Sequence, residues 1–338
     1  MTIAGPLLRL LCDGQFHSGP ELGERLGVSR AAVWKQISRL ETLGLEVHAV
    51  SGKGYRLAAP LELLDRGRVM DALDPAGKKR LHELEILDEI DSTNSYLMGR
   101  ARQSAPSGLA CLAESQSAGR GRVGRHWVST FGANVYLSLL WRYSADPAAL
   151  GGLSIAVGVA VAQALRDSGI CGVQLKWPND ILWEGRKLAG VLIEVSGESA
   201  GPCAVVAGIG VNVRLPEAAA REIDQPWVDL GAVPGGETVS RNRLAGRIIE
   251  QVLTVLDGFE RTGLGPWLPK WRRLDGVIGH PVSLHLPDGP LAGTARGVDA
   301  QGALLLERDG EISRYACGEI SLRSRRPTAP DDVSGNCR

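Results

Sequence analysis

Apolar positions follow a helical period at the front of this chain and a strand period further on. Over residues 5–57 the spacing is helical. Leu7, Leu8, Leu10 and Leu11 predict a short first helix that Asp13-Gly14 ends. Ser18-Gly-Pro-Glu21 has the spacing of a capping box, with Ser18 as N-cap and Pro20 in the first turn. Leu22 and Leu26 share one face of the helix that follows. Gly27-Val28-Ser29 predicts a tight turn. Ser29 can then cap a third helix running from Arg30 to about Thr42, with Val33, Ile37 and Leu40 as its apolar stripe. Gly44 is placed to stop it. Residues 45–50 and 55–57 flank Ser51-Gly52-Lys53-Gly54, which predicts a two-stranded hairpin with a basic tip.

Short helix, glycine turn, helix opening on Ser-Arg, then hairpin: that order resembles a winged helix-turn-helix whose third helix reads DNA. Its candidate DNA contacts are Ser29, Arg30, Lys35, Arg39 and Lys53. Net charge adds little, because residues 1–57 hold seven Lys/Arg against five Asp/Glu. A protein-interaction module is the plainer alternative. One such head binds DNA weakly, so useful specificity implies a dimer on a two-fold site.

Beyond the junction at residues 58–60 the pattern changes. Strand-like runs at 86–89, 110–114, 135–140, 174–177, 190–195 and 204–211 are interspersed with helical runs at 156–166 and 244–262. This predicts a mixed α/β domain with its glycine-rich signals in loops, where binding residues concentrate. Further short strands are predicted at 282–286, 293–298, 303–307 and 311–315. Pro-Asp-Gly, Ala-Gln-Gly and Arg-Asp-Gly turns separate them. The Pro/Ser/Asp-rich tail after Arg325 is expected to be disordered.

Composition narrows the function classes. With 338 residues, 44% of them hydrophobic, and 38 Lys/Arg balanced by 38 Asp/Glu, the chain is neither disordered nor a highly charged coat for nucleic acid. The six cysteines form no CxxC pair, and His280 and His285 lack accompanying ligands, so no metal site is expected. The N-terminus has no signal-peptide pattern. The apolar stretch 148–165, interrupted by Ser154 and Gln163, predicts a buried helix, not a membrane span. A cytoplasmic protein without membrane contact is the expectation.

The densest chemical signal is Gly119-Arg-Gly-Arg-Val-Gly-Arg125. It fits GxGxxG formally, but that fingerprint needs a helix opening at the glycines, whereas His126-Trp127 leads here toward another strand. Glycines let backbone N–H groups approach a phosphate and arginines add permanent, planar donors, so the segment predicts a loop that closes over an anion. A solvated basic loop is the bland alternative. Asp91-Ser-Thr-Asn94, Lys176-Trp-Pro-Asn-Asp180, Arg186-Lys-Leu-Ala-Gly190 and Gly208-Ile-Gly-Val-Asn212 are each explicable as turns or caps. Their joint occurrence with the Gly/Arg loop is what points to a site.

Together with Gln116 and Gly318-Glu-Ile-Ser-Leu-Arg323, these stretches resemble, in order, the bacterial biotin–protein ligases that double as repressors of the biotin operon. The resemblance spans about nine-tenths of the chain. It implies a multidomain α+β protein: a winged helix-turn-helix over 1–60, a catalytic domain over 61–270, an SH3-like β-barrel over 271–325, and the tail 326–338. It also implies ATP-dependent formation of biotinyl-5′-adenylate with Mg²⁺, then transfer to a lysine of the biotin carboxyl carrier protein of acetyl-CoA carboxylase. Operator DNA would be the second partner, bound by a homodimer when the adenylate is present.

Carried over motif by motif, Ser92, Thr93, Asn94 and Gln116 would line biotin. Arg120, Gly121 and Arg122 would close over biotin and its phosphate, and Lys187 would contact the transferring oxygens. Lys176 and Asp180 would lie at the catalytic centre, Asp180 orienting or deprotonating the acceptor lysine. Asn212 and Trp227 would face the adenylate. Two rival readings remain: a sensor domain without catalysis, and a lipoyl- or octanoyl-transferring relative.

Overall fold

The computed structural model describes residues 5–197, 201–286, 289–316 and 321–324. Helices α1 (Gly5–Leu11), α2 (Gly19–Leu26) and α3 (Arg30–Thr42) precede a hairpin of β1 (Val47–Val50) and β2 (Gly54–Leu57). Ser18 and Glu21 form the reciprocal capping box at α2, and Ser29 caps α3 by accepting from the Ala32 N–H at 3.3 Å. Leu7, Leu8, Leu11, Leu22, Val33, Ile37 and Leu40 close the core of this module. Phe131, far away in sequence, is buried with them, and Leu61 and Leu63 pack alongside.

His17 fastens the hairpin to the helices. Its backbone exchanges hydrogen bonds of 2.9 and 2.8 Å with Tyr55 on β2. Its ring lies between Asp13, at 3.0 Å, and Glu21, at 3.2 Å. Burial alone would depress the imidazole pKa, but the two carboxylates outweigh it and raise it, while Asp13 and Glu21 are lowered. The stabilisation by protonated His17 is therefore complete below the unfolded value of about 6.5 and is lost as pH rises through the raised folded value. The carboxylates' share is lost at the acid end. The protection factor of the Tyr55 amide should accordingly fall on the alkaline side of that value in hydrogen exchange, and His17→Asn should flatten the profile.

After the junction come α4 (Arg66–Asp71), α5 (Pro75–Arg80), β3 (Glu83–Ile90), α6 (Thr93–Arg102), β4 (Leu109–Gln116), β5 (Val135–Tyr143) and α7 (Leu153–Asp167). Strands β6 (Val173–Lys176), β7 (Asp180–Trp183), β8 (Arg186–Gly197) and β9 (Cys203–Val211) follow, then helices α8 (Glu217–Ala220), α9 (Arg241–Thr262) and α10 (Leu268–Leu274). The sheet runs β3-β4-β5-β9-β8-β7-β6. Among the described strands of this sheet, β3 and β4 run parallel, joined through α6, and the other strand pairs are antiparallel.

Strand alternation gives the sheet two buried faces. Ala110 and Leu112 of β4 turn toward the large core that includes α7 and α9, while Leu109 and Cys111 turn toward α6. The apolar helix α7 is buried almost all round, as expected of residues 148–165. It belongs to the segment Pro147–Asp167, which is long and apolar enough to cross a bilayer but is 72% buried inside the protein over its most apolar window.

Strand β8 begins at Arg186, four residues before the predicted start at 190. Glu184 and Gly185 both have positive φ, 47° and 71°, which is the geometry of a tight hairpin turn. That turn pairs Trp183 with Arg186 directly and places both cations of the Arg-Lys pair on the strand.

A buried ion pair ties the junction to the sheet. Arg241, at the start of α9, lies 2.9 Å from Glu114 on β4, with side-chain exposures of 5% and 3%. Glu114 also accepts from the Leu64 N–H at 2.5 Å, and Arg241 donates to the Asn134 carbonyl. Asn242 accepts from the Asp65 N–H at 2.7 Å.

The C-terminal part is a five-stranded antiparallel sheet, ordered β13-β12-β11-β10-β14. Its strands are β10 (Pro281–Leu286), β11 (Gly289–Val298), β12 (Leu304–Arg308), β13 (Glu311–Tyr315) and β14 (Ser321–Ser324). Trp177 anchors it by donating from its indole N–H to the Gly302 carbonyl at 2.9 Å. Helix α10 runs across the expected boundary between residues 270 and 271. Residues 318–320 of the Gly318–Arg323 motif and the tail 326–338 lie outside the described residues.

Candidate functional site

A cavity of about 430 Å³ opens between β4, β5, β8 and β9, the start of α6 and the Gly/Arg loop. Its polar end is assembled at the N-terminus of α6. Ser92 caps that helix by accepting from the Ser95 N–H at 3.4 Å, which turns Thr93 and Asn94 inward, where both are buried. Gln116, at the end of β4, accepts from the Thr93 N–H at 2.9 Å and from its hydroxyl at 3.1 Å. Ser138 of β5 lies 2.7 Å from the Thr93 hydroxyl and 2.5 Å from Asn94 Oδ1. The result is a fixed set of amide and hydroxyl groups on an otherwise apolar floor, suited to orienting a neutral polar ring.

The glycines of β9 make room for this set. A Cβ on Gly208 would fall 2.3 Å from Asn94 Oδ1, and one on Gly210 would meet the Trp127 indole at 2.5 Å. The close approach along residues 208–210 is thus made to the protein's own side chains. Trp127 lies over this strand with Lys187 Nζ 5.4 Å from its ring centroid, and its indole N–H is buried without a hydrogen-bond partner.

The cationic end of the cavity is built on two hairpins. Asp180, first residue of β7, lies 2.7 Å from Lys176 on β6 and 2.7 Å from Lys187 on β8. Burial alone would raise the Asp180 pKa, but the two ammonium groups hold it well below the usual carboxylate range. It therefore stays ionised, and the three groups together carry one net positive charge. The carboxylate fixes both lysines at the cavity wall.

The loop from Gly119 to Arg125 folds over the opening as a short 3₁₀ turn (Arg122–Gly124) and not as the start of an α-helix. Gly121 donates to the Arg125 carbonyl at 2.7 Å, and Arg120 donates to Glu194 at 2.7 Å. Glu194 also accepts from the Asn94 side chain at 2.7 Å, so one carboxylate joins the loop to the polar floor. Arg120, Gly121 and Arg122 all line the cavity.

Trp227 and Asn212 line it from the other side. The backbone of Lys187 donates to Pro226 at 2.9 Å and accepts from Val228 at 3.0 Å, which clamps the Trp227 loop against β8. The Asn212 amide is spent on the carbonyls of Lys187 and Val228, holding that loop in place. The site residues expected in the central domain therefore converge on one cavity. Ser29, Arg30, Lys35, Arg39 and Lys53 lie apart from it, exposed on α3 and the hairpin tip. Trp127, Ser138 and Glu194 also line or brace the cavity without belonging to any sequence motif. Each is an ordinary strand or loop residue until the fold brings it to the cavity.

Among the described residues, no three His, Cys, Asp or Glu side chains converge as a metal set. The central carboxylate, Asp180, is already engaged by two ammonium groups. These residues do not form a protein cage for a divalent cation.

Residues 86–212 match the Biotin/lipoate A/B protein ligase family, residues 7–56 match the HTH domain family, and residues 277–323 match the Biotin protein ligase C terminal domain family. The chain is 46% identical to the bifunctional ligase/repressor BirA of Salmonella typhimurium, over 96% of this chain and 98% of that protein. It is 36% identical to the biotin–[acetyl-CoA-carboxylase] ligase of Mycobacterium tuberculosis, over 78% of this chain and 97% of that protein. The solved biotin protein ligase of Aquifex aeolicus, in complex with biotin and ATP, superposes with a TM-score of 0.61 at 28% identity. That likeness covers 72% of this chain and all of the Aquifex chain.

Proposed function

The chain belongs to the family of bifunctional ligase/repressors named BirA, and from that premise we propose how its residues divide the two tasks. It is an ATP-dependent biotin–[acetyl-CoA-carboxylase] ligase and a DNA-binding repressor. The observation that carries the catalytic reading is the pairing of a neutral polar floor with a cationic wall in one cavity. Ser92, Thr93, Asn94 and Gln116 orient the biotin head group. Lys187, Lys176, Arg120 and Arg122 face its carboxylate and the phosphates of ATP.

In the first step an oxygen of the biotin carboxylate attacks the α-phosphorus of ATP, pyrophosphate leaves, and a mixed anhydride forms. Negative charge gathers on the phosphoryl oxygens, and fixed cations in a partly dry site stabilise it without reorganising. In the second step the carrier lysine attacks the acyl carbon through its neutral amine. AMP leaves and one proton is released. Asp180, bound by two ammonium groups, is a weak base, so its part is to position Lys187 and the incoming amine and not to remove the proton. Trp227 packs on the adenylate, and Asn212 serves through the loop it holds. Mg²⁺ enters as a companion of the ATP phosphates, and no protein ligand is assigned to it.

We read the C-terminal sheet as an SH3-like barrel, the domains as 1–60, 61–270 and 271–325, and the setting as cytoplasmic, where ATP and the carrier occur. Ordering of the Gly/Arg loop around the adenylate favours a homodimer, and the dimer places two reading heads on a two-fold operator. Operator affinity should therefore rise when biotin and ATP are both supplied. The ligase reading is tested by ATP–pyrophosphate exchange with biotin or lipoate as the carboxylic acid. Exchange with biotin is expected; exchange with lipoate alone would favour the lipoyl-transferring relative. No exchange with either acid would favour the sensor.

A further inference from the structure

The reading head carries one residue that its basic contacts do not explain. Of the chain's eight tryptophans, Trp34 is the one left largely exposed, at 63%. It is the fifth residue of α3, one turn in from the cap, about 100° around the helix from Val33 and so on the flank of the buried Val33, Ile37 and Leu40 stripe. Arg30 lies four residues before it and Lys35 directly after, both exposed, and the neighbouring Ala31 is exposed and small. The side chain of Arg30 passes beside Gly19, as does the ring of Tyr55 near the tip end of β2. The start of α3 and the second strand of the wing therefore meet at the same point on α2. No acidic residue occurs on α3 before Glu41.

We propose that Trp34 reads sequence, by packing its indole on the C5-methyl group of a thymine in the major groove. The inference rests on the repressor reading and adds to it a residue that discriminates between bases. Residues near the N-terminus of a reading helix reach base edges, while arginines and lysines on its flanks hold the phosphates. An apolar group at a base edge finds one apolar feature there, the thymine methyl. Arg30, Lys35 and the wing's Lys53 supply the positive surround that duplex DNA requires, and Ala31 lets the helix approach closely. An exposed indole within such a surround gains from burial only if the groove offers it an apolar partner.

The test uses the full-length chain with biotin, ATP and Mg²⁺ present. A binding site is first selected from a random duplex library, and each thymine in it is then replaced singly by deoxyuridine, which removes only the methyl. Wild type should lose about three- to fivefold in affinity at one position of each half-site. Trp34→Ala should bind more weakly and be indifferent to uracil at that position, and Trp34→Phe should recover part of the discrimination. Unchanged thermal unfolding of both variants controls for folding. Wild type indifferent to every uracil, or Trp34→Ala equally sensitive at the same position, would overturn the role of Trp34 while leaving the repressor reading intact. If the chain selects no sequence at all, the repressor reading falls as well, and Trp34 becomes a contact for another protein.

Discussion

Replacing Lys187 with methionine is expected to slow biotinyl-adenylate formation by about 10²- to 10³-fold, the scale of removing one preorganised donor from a developing oxyanion. Methionine keeps most of the stem and removes the charge. Lys187 is held 2.7 Å from Asp180 with side-chain exposures of 15% and 12%, so little water is available to replace the ammonium. Because the lost interaction strengthens as charge builds, the defect should appear mainly in kcat, with the KM for biotin changed less. Lys187→Arg keeps the charge but needs space beside Trp127 and Gly190, so it should restore only part of the rate. Single-turnover measurement of adenylate separates these outcomes. A Lys187→Met rate within about threefold of wild type would remove Lys187 from the catalytic centre, since one preorganised donor is worth far more.

The largest effect on stability is expected at Arg241. Arg241→Met leaves Glu114 buried without its cation and should cost about 3–5 kcal/mol, because an uncompensated internal charge is worse than none. Glu114→Gln should cost less, since an amide oxygen can still accept from the Leu64 N–H. Combining the two changes should recover much of the loss, which a double-mutant cycle in urea would measure. Independent, additive effects would show that the pair does not act as a unit. The same substitution should loosen residues 62–65, where the chain passes from the reading head to the catalytic domain, because Arg241 also donates to the Glu62 carbonyl at 2.6 Å.

What the sequence revealed was local. Ser18 with Glu21, Ser29 before α3 and the glycines of the wing each act on partners within a few residues, so spacing alone discloses them. The Gly/Arg loop was legible for the same reason, as a run of one chemistry. Lys176, Asp180 and Lys187 were visible as separate turns, and only the β6–β7–β8 meander places the two ammonium groups on one carboxylate.

Partners far apart in sequence left no such mark. Glu114 and Arg241 look like a strand residue and a helix-start residue, and their pairing exists only once β4 and α9 are packed. Phe131 reads as a turn aromatic, yet it completes the core of the N-terminal module. Gly208 and Gly210 are points of close approach. Their partners, Asn94 and Trp127, come from other elements, so the ligand they seemed to await is in the first instance the protein itself.

In the proposed chemistry one cavity makes an acyl-adenylate of biotin and hands the acyl group to a carrier lysine. This chemistry is tested most directly by incubating the purified full-length chain with ATP, Mg²⁺, the biotin carrier domain of acetyl-CoA carboxylase, and either biotin or lipoate. Intact-mass and peptide analysis of the carrier would then follow. The expected result is one biotinyl amide on one carrier lysine, dependent on ATP, with no lipoyl product. A carrier left unmodified by biotin, or modified by lipoate in its place, would contradict it.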